Sequence, residues 1–385
     1  MRVLIITNQF PPRLGGVAAA TFRLSKALLA IGDKAEVITR NHTDHTPPGF
    51  GQPETTEFEG IRVHRFPDMW FKRAAYGLCI SELIRIANEF CPDVIHAYYA
   101  VPSGYLAIAC GNRVGVPVVV SCRGDDVTKA ILHKPATLRR VLESADFVTS
   151  VSSSLLVWAH FISEFDQYST VRNSIEPSFL AVEYDAPAIR AKYGLMQGSI
   201  VLASNAVFRW KKGPDYLEDL LVRVGYSDIP NIEFVLIGKF NPSWHHKLRR
   251  RFQGTATAGR TRKLVSVPCP DRRDLARLLS IVDLFLLTSR REGMPNVAIE
   301  AMSRGTPVAA TAVNGCVELL ENADAGILLN PFDSVEGARA VVALLSNSSQ
   351  LMNLGKNARH LIETDYLVER EVRTLRSIYE QLSNQ

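Results

Sequence analysis

Short runs of β-branched and apolar residues alternate with helical patterns along almost the whole chain, and nothing else constrains its fold so strongly. Residues 3–7 read as a buried strand, followed by a loop with Pro11, Pro12, Gly15 and Gly16. A helix is expected next, with Ala20, Leu24, Ala27, Leu28 and Ile31 on one face. Further strands are expected at 36–40, 61–66, 93–97, 116–121 and 147–151, with helical patterns between them, as at 81–90 and 105–114. The alternation lapses between about 174 and 196. It restarts with strands at 200–203, 233–237, 264–267, 283–287 and 307–310, and residues 364–382 read as one amphipathic helix. Strand–helix alternation implies parallel sheets covered by helices on both faces. At 385 residues the chain suits two domains. The expected class is therefore α/β, with two Rossmann-like, doubly wound parallel-sheet domains facing each other across a cleft and a linker at 175–193. Such sheets bind ligands beyond the carboxyl ends of their strands, where the strand order reverses.

The net charge is +5, from 44 basic and 39 acidic residues. The basic residues are scattered, so no nucleic-acid partner is expected. A diffuse positive field suits an anionic small molecule or an anionic membrane surface. The segment from Lys247 to Arg251 reads as a solvated helix face, or as a contact for membrane or a polyanionic acceptor. The six cysteines have no Cys-x-x-Cys spacing, which argues against a zinc or disulfide framework and fits a reducing cytoplasm. The N-terminal apolar run is too short for a signal peptide, and no stretch approaches the roughly 20 apolar residues that span a bilayer. The expected location is cytoplasmic, either free or peripheral at the inner face of the membrane.

Chemistry concentrates between Ser289 and Leu320. Glu292 and Glu300 lie eight positions apart, just after the strand at 283–287. Pro295 suits the first position of a helix, since its missing amide proton would have no partner there. That puts Glu292 in a loop over the strand end and Glu300 more than a turn into the helix. The amides around Met294 to Ala298 are then available to a phosphate oxygen. A carboxylate beside an anion site is unfavourable unless it binds neutral hydroxyls, such as those of a sugar or a ribose.

This segment resembles the signature of the retaining glycosyltransferase family 4, the glycosyl transferases of group 1, in which two glutamates are separated by seven residues. The resemblance continues in Gly305-Thr-Pro-Val-Ala-Ala-Thr and Val313-Asn-Gly-Cys-Val-Glu-Leu. Lys211-Lys212-Gly213-Pro-Asp-Tyr-Leu is similar to the family's phosphate-binding segment, Asn173-Ser-Ile-Glu to its domain junction, and Gly15-Gly16 to its N-terminal glycine loop. It implies the GT-B fold, with domains at 1–175 and 176–363 and a C-terminal helix, about 364–385, packing back on the first. It further implies that Glu300 holds the ribose hydroxyls of a nucleoside-diphosphate sugar and that Glu292 binds a hydroxyl of the donor sugar. Gly293, Met294, Pro295, Asn296 and Val297 would line the sugar and phosphates, with Gly16 also on the donor. Lys212 would neutralise the diphosphate together with an arginine, for which Arg209 is the nearest candidate. Fixed cations in that role imply no metal and no further cofactor. The acceptor would be a glycan or glycolipid, as in bacterial surface polysaccharide assembly.

One departure stands out. Members carry a His-Gly-x-Asp stretch where this chain has Cys122-Arg-Gly-Asp-Asp126. Arg123 cannot act as a base at neutral pH, but it can bind substrate oxygens or pair with Asp125 or Asp126. Gly15, His96, Asp125 and Asp126 are the acceptor-side candidates. His96 reads alternatively as a packed structural histidine, Gly15-Gly16 as a plain turn, and Lys211-Lys212 as a solvated surface pair. Two other functions remain to be separated: a nucleotide-sugar epimerase of the same architecture, and a non-enzymatic two-lobed ligand-binding protein.

Overall fold

Two units divide the chain in the computed structural model, residues 1–174 with 368–385 and residues 175–367. The described residues are 1–13, 15–41, 52–205, 210–268, 270–321 and 323–384, with only the backbone of Met69. In the first unit the strands are β1 (Arg2–Thr7), β2 (Lys34–Asn41), β3 (Glu54–Phe58), β4 (Ile61–Pro67), β5 (Val94–Tyr98), β6 (Val118–Cys122), β7 (Phe147–Ser150) and β8 (Tyr168–Thr170). Their order is β3-β4-β2-β1-β5-β6-β7-β8, parallel throughout except for β3, which runs antiparallel to β4. In the second unit β9 (Ile200–Asn205), β10 (Asn231–Ile237), β11 (Thr261–Val267), β12 (Leu284–Leu287), β13 (Val308–Thr311) and β14 (Gly326–Leu329) form a parallel sheet in the order β11-β10-β9-β12-β13-β14. Both sheets are doubly wound, with the reversal between β1 and β5 in one and between β9 and β12 in the other.

The central strands form because they are apolar on both faces. Every residue of β5, β6, β7, β12 and β13 is buried, as expected for a parallel sheet covered by helices. Three strands lie outside the expected set, β3, β8 and β14. The segment read as a linker, 175–193, belongs to the second unit and contains helices Pro177–Leu180 and Ala186–Lys192. Arg304 fastens it by donating to the carbonyls of Phe179 at 2.9 Å and Val182 at 2.6 Å. The last helix spans Val368–Ser383 rather than starting at 364, because helix Ser348–Asp365 runs through that position. Its Val372, Leu375, Tyr379 and Leu382 join Leu24 and Leu28 of helix Gly16–Ala30 in the first unit's core. Steps of three or four residues put these side chains on one stripe.

The same helix carries polar groups into that core. Tyr379 Oη lies 2.6 Å from His96 Nδ1, and His96 Nε2 lies 2.7 Å from Ser121 Oγ. Tyr98 donates to Glu371 at 3.0 Å, and Ser174 also donates to Glu371. His96 is 0% exposed, and burial, with the Arg123 charge adding to it, lowers its pKa to about 3. The acceptor contact expected of His96 is thereby corrected. His96 sits at the middle of β5, and the last helix covers its ring through Tyr379.

A histidine held neutral in the fold binds fewer protons than in the unfolded chain, where it titrates near pH 6.5. Its contribution is therefore intact above about pH 6.5 and is lost as pH falls toward about 3, at up to about 1.4 kcal/mol per pH unit. The melting temperature of the native protein should fall more steeply between pH 6.5 and 4.5 than that of His96→Gln. Parallel melting curves for the two proteins would contradict this account.

Candidate active site

Two loops leave the second sheet at its point of reversal, one after β9 and one after β12. The first leads into Trp210, Lys211 and Lys212; Arg209 lies outside the described residues. The second runs from Thr288 to Pro295. Close approach between them depends on glycine. Gly213, the N-cap of helix Pro214–Gly225, has φ +58, and a Cβ there would lie 2.0 Å from the Thr288 carbonyl oxygen. At Gly315, in helix Asn314–Leu320, a Cβ would lie 1.9 Å from the Gly293 carbonyl oxygen. The Arg290 amide donates to the Lys211 carbonyl at 2.8 Å, and Thr288 Oγ1 donates to that of Lys212 at 3.2 Å.

This geometry brings Lys212 and Glu292 together. Lys212 Nζ donates to Glu292 Oε1 at 2.5 Å, Ser289 Oγ donates to the same oxygen at 2.6 Å, and Lys211 Nζ stands 4.0 Å from Oε2. Glu292 is only 9% exposed. Burial pushes its carboxyl pKa up, but the charges of Lys212 and Lys211 and the two hydrogen bonds outweigh it, leaving the value below the ordinary range. Lys211-Lys212 is thus no solvated surface pair. Ser289 carried no signal in the sequence.

Glu300 sits inside helix Asn296–Ser303 and is 8% exposed. Its carboxylate accepts from Arg272 Nη1, and the same guanidinium donates to Glu176 through Nη2 at 2.6 Å and Nε at 3.1 Å. The ring of Phe179 lies 4.4 Å from the guanidinium carbon. Arg272 escaped sequence reasoning, because an arginine opening an amphipathic helix looks like an ordinary solvated charge. Pro295 is the N-cap rather than the first helical residue, so the helix begins one position late at Asn296 and Val297. The Ala298 amide closes the first turn on the Pro295 carbonyl at 3.0 Å, which removes it from the amides expected to face a phosphate. Gly293, Met294 and Pro295 are buried in the turn before the helix.

The remaining candidates belong to the first unit. Gly15 caps helix Gly16–Ala30 and accepts the Ala19 amide at 3.0 Å. Arg123 does not take the expected partner: its guanidinium donates to Asn173 and lies 4.1 Å from the centre of the Tyr98 ring. Asp125 pairs with Lys129 at 2.8 Å. Asp126 is buried and accepts the amides of Ala100 at 2.7 Å, Gly124 at 2.7 Å and Arg123 at 3.0 Å. It organises the loop after β6, which corrects its assignment as an acceptor contact. Among the described residues, no three His, Cys, Asp or Glu side chains gather as a metal site.

The family model described as "Glycosyl transferase 4-like domain" matches residues 15–160, and that described as "Glycosyl transferases group 1" matches residues 185–361. This chain belongs to the GT-B glycosyltransferases. It is 24% identical over 383 residues to N-acetyl-alpha-D-glucosaminyl L-malate synthase of Bacillus anthracis, covering 96% of this chain and 94% of that one. In fold it is similar to sucrose-phosphate synthase from Thermosynechococcus elongatus, with TM-score 0.80, 20% identity, and 99% and 98% of the two chains covered. It is likewise similar to Anabaena HepE in complex with UDP and glucose, with TM-score 0.77, 17% identity, and 99% and 100% covered. Among the described residues, no helix of this glycosyltransferase is long and apolar enough to cross a membrane.

The contact at Gly315 yields a test. Gly315→Ala must push the Gly293 backbone aside, at a cost of about 1–3 kcal/mol. The melting temperature should fall by several degrees, at about 2–4 °C per kcal/mol for a unit of this size. Gly77→Ala, whose added methyl meets nothing within 4 Å, serves as the control and should change little. Equal melting temperatures for the two variants would contradict the packing described.

Proposed function

We propose that the enzyme transfers a hexosyl unit from a nucleoside-diphosphate sugar to an acceptor hydroxyl with retention of anomeric configuration, without a metal. The observation that carries this reading is the Lys212–Glu292 pair at the reversal of the second sheet, 2.5 Å apart, with the glutamate buried and the lysine half-buried. The ammonium rests on the carboxylate. An arriving diphosphate draws Lys212 toward its oxygens and releases Glu292 to accept a hydroxyl of the donor sugar. Glu300 takes the ribose hydroxyls, and residues Gly293 to Val297 border the sugar and phosphates. Charge neutralisation by fixed cations lowers the barrier by stabilising the leaving nucleoside diphosphate.

The bond from the anomeric carbon to the diphosphate oxygen breaks as the acceptor oxygen attacks from the same face. The acceptor proton passes to the departing phosphate oxygen. No side-chain base is needed, which suits Arg123 in place of the family's histidine; we assign it to substrate oxygens, with Gly15 and Asp125 also on the acceptor side and Gly16 on the donor. UDP-sugars are the first donors to try, since HepE carries UDP. A glycan or glycolipid acceptor fits a peripheral membrane contact. Helix Ser153–Ile162 exposes Val157, Trp158 and Phe161, and exposed Arg139 donates to its Ile162 carbonyl at 3.0 Å.

A thermal-shift panel of UDP-, GDP-, ADP- and dTDP-sugars selects the donor, because a ligand that binds the native state raises its melting temperature. With that donor, Lys212→Ala should lower kcat by about tenfold or more, the equivalent of one charge-assisted contact of about 1.5–3 kcal/mol. Activity should persist in excess chelator. Turnover unchanged in folded Lys212→Ala, or abolished by chelator and restored by magnesium, would overturn the reading. Conversion of the donor with no acceptor present would point to an epimerase instead.

A further inference from the structure

The reaction as proposed leaves Arg272 without a task, although two carboxylates and an aromatic ring hold it. It opens helix Arg272–Leu279, where the helix's positive end makes a cation unfavourable. Its ion pairs compensate: one edge of the guanidinium meets Glu176, Nη1 meets Glu300, and the Phe179 ring covers a face. The floor beneath it is rigid, since Phe179 is itself buried and its carbonyl is tied down by Arg304 at 2.9 Å. Burial works to lower the Arg272 pKa, but the two carboxylates raise it above its ordinary value, so the charge is permanent.

Glu300 gains most from this arrangement. A carboxylate so deeply buried costs several kcal/mol unless a counter-charge and hydrogen bonds compensate. Arg272 supplies both, and it does so on a single oxygen, Oε1. An ionised carboxylate offers about four lone-pair sites, so the second oxygen remains able to accept two hydroxyl protons. Without the guanidinium the carboxylate would be free to swing toward water, and a diol would lose its acceptor.

The geometry points to Arg272 as the positioning residue that holds Glu300 aimed, so that this glycosyltransferase prefers ribose over deoxyribose in its nucleotide. Glu176 braces Arg272 at another edge of the guanidinium and Phe179 at its face. This inference rests on the assignment of Glu300 to the ribose, and the experiment separates the two.

Wild type, Arg272→Gln, Arg272→Lys and Glu300→Gln are titrated with UDP, GDP and ADP and with their 2′-deoxy counterparts by calorimetry. The readout is the ribo-to-deoxyribo affinity ratio for the base that binds. Arg272→Gln should bring this ratio down by about fivefold, the worth of one net hydrogen bond. Donor KM should rise by about tenfold while kcat changes by less than about threefold, the pattern of lost uniform binding. Arg272→Lys keeps the charge but not the planar fork, and should recover part of the ratio. Unliganded melting curves report folding; if Arg272→Gln does not fold, Arg272→Lys alone must show a reduced ratio. A ratio unchanged in folded Arg272→Gln but reduced in Glu300→Gln overturns the positioning role and leaves the donor reading intact. A ratio unchanged in Glu300→Gln, or no diphosphate bound by wild type, overturns the donor reading itself.

Discussion

A lysine ammonium and a buried glutamate, Lys212 and Glu292, meet where the second sheet reverses direction, and the local backbone is built to bring them there. Stability does not explain the pair. Burying two opposite charges is often no better than burying apolar residues of similar volume, because desolvation offsets their attraction. A half-buried cation beside a buried, acceptor-only carboxylate is, however, what the proposed binding needs. An anion can take over the cation, and the carboxylate is then free for a neutral hydroxyl. The two glycines at 213 and 315 serve this end by letting three chain segments approach within a distance no side chain would tolerate.

The two units use the same topology for different electrostatics. At the reversal in the first sheet, the residues following β1 and β5 meet through a neutral contact, Ser103 Oγ donating to Asn8 Oδ1 at 2.9 Å. At the reversal in the second, the contact is between full charges. Under the proposed reaction an anionic ligand group would find its counter-charge in the second unit. The C-terminal helix is tied to the first unit by more than its apolar stripe. Glu371 and Tyr379 each hydrogen-bond to a side chain of β5, Tyr98 and His96 respectively, and Arg123 stacks on Tyr98. The loop after β6 is thus seated on a polar layer that the last helix completes.

Much of the fold was legible because parallel strands buried on both faces leave continuous apolar runs, as in residues 284–287. Strands that do not meet that condition were missed. Glu54–Phe58 is a largely polar edge strand, Tyr168–Thr170 is only three residues long, and Gly326–Leu329 opens with glycine. The stretch 175–193 reads as a linker because the strand–helix alternation lapses there, yet it is fastened by Arg304, a residue far away in sequence. At the site, Glu292, Glu300 and Lys212 could be found because their spacing and neighbours form a recognisable segment. Arg272 could not, since its importance arises from carboxylates 96 and 28 positions away. His96 was misjudged because what covers it, Tyr379, lies 283 positions away in the last helix and leaves no trace near it in the sequence.

The account stands or falls on where the diphosphate goes. A crystal structure of the enzyme with a bound nucleoside-diphosphate sugar should show Lys212 Nζ on the diphosphate oxygens and no longer on Glu292, with Glu300 on the ribose. A donor bound elsewhere, with the Lys212–Glu292 pair still closed, would contradict it.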